Sequence, residues 1–411
     1  MAHVHEICAP SDPLFGGVGG GLFAASRMDE AIAVYDEIRR IDPVHRLEDG
    51  GWLLTRYEDA KAVLRDTRFS SNETLWKAGP DAEAPPHDPS QWMLFLDPPH
   101  HTRLRKLVQQ AFVPRRIKQL EGDIERAVDG LLDAVAETGR MDIIADLARP
   151  LPVQVIATML DVPPRDRDRI HKLAQASSLL LDSEYLDAAA LERAAAASRE
   201  TRAYFDSLID KRRDDPGDDI LSGLIAAEED GQMLSKDEIV AMADLLFLAG
   251  HETTVNLIGN GIRTMLDHDG TLDRLAREPD LIPSAVEECL RYAPSVSLTG
   301  RTATEDLAIG DKTAAKGDYV LIPMDAVNRD PARFPDPHRF DVARADNAHL
   351  TFAIGPHVCL GASLARLEAK VVWRMLLERF RDIRAAAPSS YREHVVLRGL
   401  ESVQIDFETV R

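Results

Sequence analysis

The 411-residue sequence predicts a mainly α-helical α+β fold, with one large domain over residues 28–411 carrying small β-sheets and a flexible lead-in over residues 1–27. Three observations carry that prediction. Helical periodicity dominates residues 102–268, with few strand-like runs between. Beyond Tyr292, short β-like pieces appear among prolines and irregular chain. No internal repeat and no linker divides the chain, so one packed core is expected.

The elements follow in order. Residues 15–22 are rich in glycine and invite a phosphate-loop reading, but no Gly-Lys-Ser/Thr follows and no strand pattern precedes them. They are read as part of the lead-in. A helix is predicted over 28–40, a short strand over 51–56 and a second helix over 57–65. Residues 77–91, poor in apolar side chains and interrupted by Pro and Gly, predict a long mobile loop. Helices are then expected over 102–112, 115–137, 151–160, 165–181, 188–212 and 236–268, with a polar Pro-Gly hinge at 212–219. The last of these is apolar nearly all round, as a helix running through a core must be. Strands are predicted over 302–309, 318–323, 394–397 and 403–407.

Composition narrows the function classes. With Lys+Arg at 49 against Asp+Glu at 69, the net charge of −20 argues against a globally basic nucleic-acid footprint. Three cysteines (Cys8, Cys289, Cys359) cannot form a disulfide framework and fit a reducing compartment. The N-terminus lacks a basic segment followed by an apolar one, and no run approaches the roughly 18 apolar residues of a membrane span. A cytoplasmic protein without membrane anchor or nucleic-acid partner is expected.

Two segments carry chemistry. The long helix is broken in pattern by Ala249-Gly250-His251-Glu252-Thr253-Thr254, a glycine, an acid and two hydroxyls where apolar residues should stand. A zinc-binding His-Glu-x-x-His fails because position 255 is Val255. Gly250 suits a ligand that approaches the backbone, or else marks a kink with internally satisfied polar groups. The second segment is Phe352-Ala353-Ile354-Gly355-Pro356-His357-Val358-Cys359-Leu360-Gly361. Cys359 lies just before a helix N-terminus, where the dipole and free N–H groups favour a thiolate, the metal-ligating form. A lone cysteine is usually a small buried hydrophobe, but the whole pattern is far more specific.

That pattern resembles the haem-binding loop of the cytochrome P450 family, in order with further matches from about Asp29 to the C-terminus. Glu288-Cys289-Leu290-Arg291 is similar to the family's Glu-x-x-Arg pair, and Arg339 falls where a third, basic member of that ion-pair network stands. The segments 97–105 and 299–301 resemble those that hold the haem propionates. By resemblance the cofactor is haem b (heme b, iron protoporphyrin IX), ligated by Cys359 and held by His101, Arg105, Arg301 and His357, with Gly250, Phe352 and Gly361 against it. Glu252 and Thr253 read as the oxygen-activating acid–alcohol pair, and Cys289 as core. Ala353 departs from the family, which often has glycine there; a small effect is expected.

The resemblance implies a haem-thiolate monooxygenase that inserts one atom of O2, by hydroxylation or epoxidation, into a lipophilic small organic molecule. Electrons would come from a ferredoxin and ferredoxin reductase supplied by NAD(P)H. The pocket is expected from the loop at 69–95 with Trp76 and Trp92, from Leu179, Leu245, Leu246, Ala249, Val296 and Leu298, and from residues 397–400; its apolar character implies the lipophilic substrate. Two acid-free stretches, 98–120 and 347–367, predict a basic docking face for an acidic electron donor. A peroxide-driven peroxygenase and a non-enzymatic haem sensor or carrier are the competing readings.

Overall fold

The structure is a computed structural model in which residues 28–47, 50–72, 75, 92–112, 114–217, 219–229, 232–392 and 394–410 are described. The lead-in over 1–27, Trp76 and the loop 77–91 lie outside the described residues. The helices of nine or more residues are α1 (Met28–Ile41), α2 (Tyr57–Arg65), α3 (His100–Gln109), α4 (Glu121–Asp133), α5 (Pro150–Met159), α6 (Arg167–Ser178), α7 (Ala188–Asp214), α8 (Lys236–Leu266), α9 (Ile282–Tyr292) and α10 (Ala362–Arg379).

The strands form small sheets at the margins. β1 (Val44–Arg46), β2 (Trp52–Leu54), β3 (Phe69–Ser70), β5 (Leu298–Ala303) and β6 (Tyr319–Pro323) build one sheet in the order β1-β2-β6-β5-β3, with β2 and β6 parallel. A second sheet joins β7 (Phe380–Ala385), β10 (Gln404–Thr409) and β4 (Arg140–Asp142) in the order β7-β10-β4. β8 (Ser390–Tyr391) and β9 (Leu400–Ser402) make a short antiparallel pair.

α8 is the axis of the core. Its first turn is a capping box, in which the Ser235 hydroxyl accepts the Glu238 N–H and the Glu238 carboxylate accepts the Ser235 N–H. Its apolar side chains join those of α4, α5, α6, α7, α9 and α10 in one large cluster. The backbone runs as a continuous helix across Gly250, so the expected interruption there is one of sequence pattern alone. Gly250 is small for packing: a Cβ would stand 3.1 Å from the Ile156 side chain on α5.

Several expected boundaries shift for identifiable reasons. The helix expected over 115–137 divides at Leu120 and ends at Asp133, where turns lead to Gly139 at φ +65° and then into β4. The strand expected over 302–309 is split in two: it stops at Ala303, where the N–H and hydroxyl of Thr304 both bind Arg68 O, and resumes over Leu307–Ile309, which pairs with Lys312–Ala314. Residues 394–397 form no strand, since the N–H groups of Val395 and Val396 go to the Asp182 carboxylate instead of to a ladder. The helix expected to run to 181 gives way at Leu179 to a tighter turn, Leu179–Tyr185, kinked at Asp182 (φ −107°, ψ 20°). Among the described residues no helix is long and apolar enough to cross a membrane.

Candidate active site

Between Ile239 and Ile262 every residue of α8 is buried except Ala249, Gly250 and Thr253. Their spacing of one and four residues puts them on one face, so a buried helix has a single accessible window at its middle. The Thr253 hydroxyl donates to Ala249 O at 2.8 Å, and the Thr254 hydroxyl reaches Gly250 O at 3.4 Å. Each satisfies itself against the preceding turn and leaves oxygen lone pairs free to accept.

Glu252 turns elsewhere. Its carboxylate is 2% exposed, forms an ion pair with Arg392 and lies 3.5 Å from His251 Nε2. Burial pushes the Glu252 carboxyl up, but Arg392, His251 and His394 outweigh it and hold the group below the ordinary carboxylate range. The acid and the alcohol therefore point to different surroundings, as neighbours about 100° apart on a helix must. Arg392 went unnoticed in the sequence, which has no local signal for a partner drawn from the far C-terminus.

The cysteine loop is tied by the Cys359 N–H to Phe352 O at 2.8 Å, and the Arg366 guanidinium lies 4.5 Å over the Phe352 ring. Gly355 has φ +78°, and a Cβ there would stand 2.7 Å from Leu64 O on α2, so only glycine lets the loop pass. Ala353 also adopts a left-handed conformation, φ 52°, which costs a non-glycine residue about 1–2 kcal/mol. Its departure from the family pattern is therefore a strained one, contrary to the small effect expected. Cys359 itself is accessible but deeply set. Burial raises its thiol pKa, while the N–H groups of Gly361 and Ala362 and the charges of Arg105 and Arg366 pull it down without prevailing. The helix terminus thus opposes desolvation of the thiolate rather than overcoming it.

Beside this loop four basic side chains converge. The His101 and His357 rings lie 4.1 Å apart, and Arg105 Nη2 donates to Val358 O at 2.6 Å. Arg301 is 7% exposed and donates to Gly300 O at 2.6 Å. Burial, then repulsion from Arg301, His101 and Arg105, drives the His357 pKa down to about 3. Arg105 Nε is buried without a hydrogen-bond partner. Among the described residues the one acid close by, Asp97, is committed to Ser70 and to the Ser71 N–H. Such a cluster is suited to a ligand bearing carboxylates. A Cβ at Gly361 would meet nothing within 4 Å, so the backbone there is open to a flat group. These residues fit a haem, with a sulfur for its iron and cations for its propionates.

The remaining expected residues separate. Val296 and Leu397 are joined in an isolated bridge beside Leu298, whereas Leu245 and Leu246 belong to the main core. Leu179 packs in a small cluster with Leu180, Ala194, Ala195 and Leu191. Glu288 and Arg291 form a fully buried ion pair at 2.7 Å. The basic third member is not Arg339, whose side chain is 68% exposed and faces Asp341 at 3.6 Å. Arg344 takes that place, 3.1 Å from Glu288 Oε2, and Arg339 contributes only its carbonyl, which accepts from Arg291 and Arg344. The chain reverses between Pro335 and Arg344, so the residue that reaches inward comes five positions later than expected.

Asp244, on α8, was not singled out in the sequence. It is 1% exposed, accepts from Trp92 Nε1 at 3.1 Å, and its Oδ1 has no partner. Burial raises the carboxyl to about 7. The folded protein therefore binds a proton that the unfolded chain releases, so this stabilisation is present below about pH 4 and is lost as pH rises through 7. Asp244→Asn, which keeps an acceptor for Trp92, is expected to raise stability at pH 8 by on the order of 2–4 kcal/mol and to leave it nearly unchanged at pH 4. Thermal melts at the two pH values check this.

Comparison with known proteins agrees with this geometry. The family model for cytochrome P450 matches residues 44–386. Cytochrome P450 107B1 of Saccharopolyspora erythraea is 41% identical over 93% of this chain and 95% of its own length. The vitamin D(3) 25-hydroxylase of Pseudonocardia autotrophica is 39% identical over 93% and 95%. The crystal structure of P450BioI in complex with hexadec-9Z-enoic acid ligated acyl carrier protein superposes with a TM-score of 0.87, at 37% identity, covering 93% of this chain and 100% of that one. With a cysteine loop, a cationic cluster and an accessible window on the central helix in one fold, a family model over residues 44–386 and relatives 39% and 41% identical over nearly their whole length place the chain in the cytochrome P450 family, as a P450 monooxygenase.

Proposed function

We propose that this monooxygenase hydroxylates or epoxidises a lipophilic small organic molecule at a haem b ligated by Cys359, with electrons from a ferredoxin-type partner and its NAD(P)H-dependent reductase. The observation that carries the reading is the accessible window of Ala249, Gly250 and Thr253 on an otherwise buried α8. When bound, a thiolate-ligated haem supplies activation of O2, the sulfur's electron density favouring O–O cleavage. The chain's part is positioning and proton supply. His101, Arg105, Arg301 and His357 hold the propionates by charge-assisted hydrogen bonds. Thr253 Oγ1, its proton turned to Ala249 O, accepts from a water and steadies it, and Glu252, whose carboxylate faces Arg392 and His251 instead, exchanges protons with that water through further waters rather than directly.

The lipophilic substrate class is supported by relatives whose names carry vitamin D(3) and hexadec-9Z-enoic acid. The docking face for an acidic donor is narrower than the charge pattern implied. Arg103 pairs with Glu238, Arg105 turns to Val358 O, and Arg366 pairs with Glu287. Lys118 remains exposed, and the side chains of Arg115 and Arg116 lie outside the described residues.

The test is product formed per electron. With an acidic ferredoxin at low ionic strength and a fatty acid or steroid that shifts the haem spin state, Thr253→Ala is expected to consume reductant at a near-native rate. Most electrons should emerge as hydrogen peroxide, with product per electron falling about tenfold or more. Glu252→Gln should mainly slow turnover. Native coupling in Thr253→Ala contradicts the proposal, and product from added peroxide but none from O2 with reductant identifies a peroxygenase.

A further inference from the structure

The chain between β8 and β9 meets two distant parts of the molecule within a few residues. At one end the Arg392 guanidinium pairs with Glu252, and its Nη2 donates to Asn256 Oδ1 at 2.6 Å, one turn further along α8. Two positions on, His394 Nδ1 lies 2.7 Å from Asp182 Oδ2. The N–H groups of Val395 and Val396 donate to Asp182 Oδ2 and Oδ1 at 3.0 and 2.9 Å. Asp182 is 3% exposed and stands at the kink of the Leu179–Tyr185 turn that leads into α7.

The far end of this segment is anchored independently. Asn260 Nδ2 donates to Arg398 O at 2.9 Å, and Arg398 Nη1 donates to Asp325 Oδ1 at 2.9 Å. Leu397 is bridged to Val296, with the Ser297 N–H donating to Val396 O and the Arg398 N–H to Ser295 O, each at 2.9 Å. The clasp at Asp182 takes the two N–H groups, of Val395 and Val396, that this bridge leaves over. A buried carboxylate that accepts two N–H groups and faces an imidazole cannot release one contact cheaply, because each freed group would be buried without a partner.

We propose that Arg392 is a positioning residue for Glu252 and that the Asp182 clasp sets Arg392 through the strap of residues 394–398 that follows it, linking the Leu179–Tyr185 turn to the acid on α8. The significance for turnover rests on the reading of Glu252 and Thr253 as the oxygen-activating pair; the linkage itself is a property of the fold. Opening the turn breaks the contacts at Asp182, loosens the strap and frees the Glu252 carboxylate from Arg392. Coupling of this kind is reciprocal, so disturbing Glu252 must also loosen the turn.

That reciprocity gives a test without turnover. Amide hydrogen exchange is followed by mass spectrometry in the haem-loaded full chain, on peptides covering 179–185 and 394–398, with a peptide within α4 as control. Arg392→Gln and Glu252→Gln are each expected to speed exchange in 179–185 by about fivefold or more. Arg392→Lys should restore most of the protection, and the α4 peptide should stay at its native rate. Asp182→Asn should speed exchange in both segments; where it folds poorly, the Arg392 and Glu252 variants carry the test alone. Native exchange at 179–185 in both of those variants overturns the proposal, as does acceleration that spreads equally to α4. Thr253→Ala should leave this exchange unchanged, so failure of the oxygen-activation reading is scored separately, by product per electron.

Discussion

Glu288→Ala is expected to yield unstable, haem-deficient protein. Glu288 is fully buried and its two oxygens accept from Arg291 (2.7 and 2.8 Å), from Arg344 (3.1 Å), from Asn347 (3.0 Å) and from the Asp341 N–H (2.8 Å). Removing the carboxylate leaves the fully buried Arg291 and the nearly buried Arg344 without a counter-charge. Breaking a buried pair in this way costs about 3–5 kcal/mol, a large part of the roughly 5–15 kcal/mol that holds a typical protein folded. Arg344→Ala should destabilise through the same network. Arg339→Ala, which removes only an exposed side chain, should stay within about 0.5 kcal/mol of native. Denaturation midpoints and haem content measure all three; normal stability in Glu288→Ala, or a loss in Arg339→Ala equal to that in Arg344→Ala, contradicts the network as drawn.

The contrast between Arg339 and Arg344 shows where sequence reasoning reaches its limit. Glu288 and Arg291 were legible because three residues along a helix is a fixed spatial offset. Their third partner enters from irregular chain, where offset in sequence carries no direction in space. The same holds for Glu252: its place on α8 followed from periodicity, but its bond to Arg392 depends on how the last strands return to the core. Helices such as α7 and α8 were legible because apolar spacing along a helix acts locally. The irregular segment at 394–397 was misread as a strand, since Val395 and Val396 have the right residue type while their N–H groups are captured by a distant carboxylate.

Cys359 carries the other large effect. Of the two cysteines among the described residues, Cys289 is wholly buried on α9 and its thiol is pushed well above its ordinary range by burial, as an inert core residue should be. Cys359 is accessible, has the Gly361 and Ala362 N–H groups on its sulfur, and sits within the influence of Arg105 and Arg366. A metal at that sulfur would complete the stabilisation of the thiolate that those groups begin, since coordination favours loss of the thiol proton. Cys359→Ser and Cys359→His are therefore expected to lose thiolate ligation entirely, and with it monooxygenase turnover, while Cys289→Ser changes stability alone.

The most direct measurement is the absorption spectrum of the reduced protein under carbon monoxide. Native protein and Cys289→Ser should show the strongly red-shifted Soret band of a thiolate-ligated haem, and Cys359→Ser and Cys359→His should lack it. A red-shifted band that survives in Cys359→Ser, or that disappears in Cys289→Ser with Cys359 intact, would show that the haem is held by a different sulfur and that the site described around Cys359 is not the catalytic one.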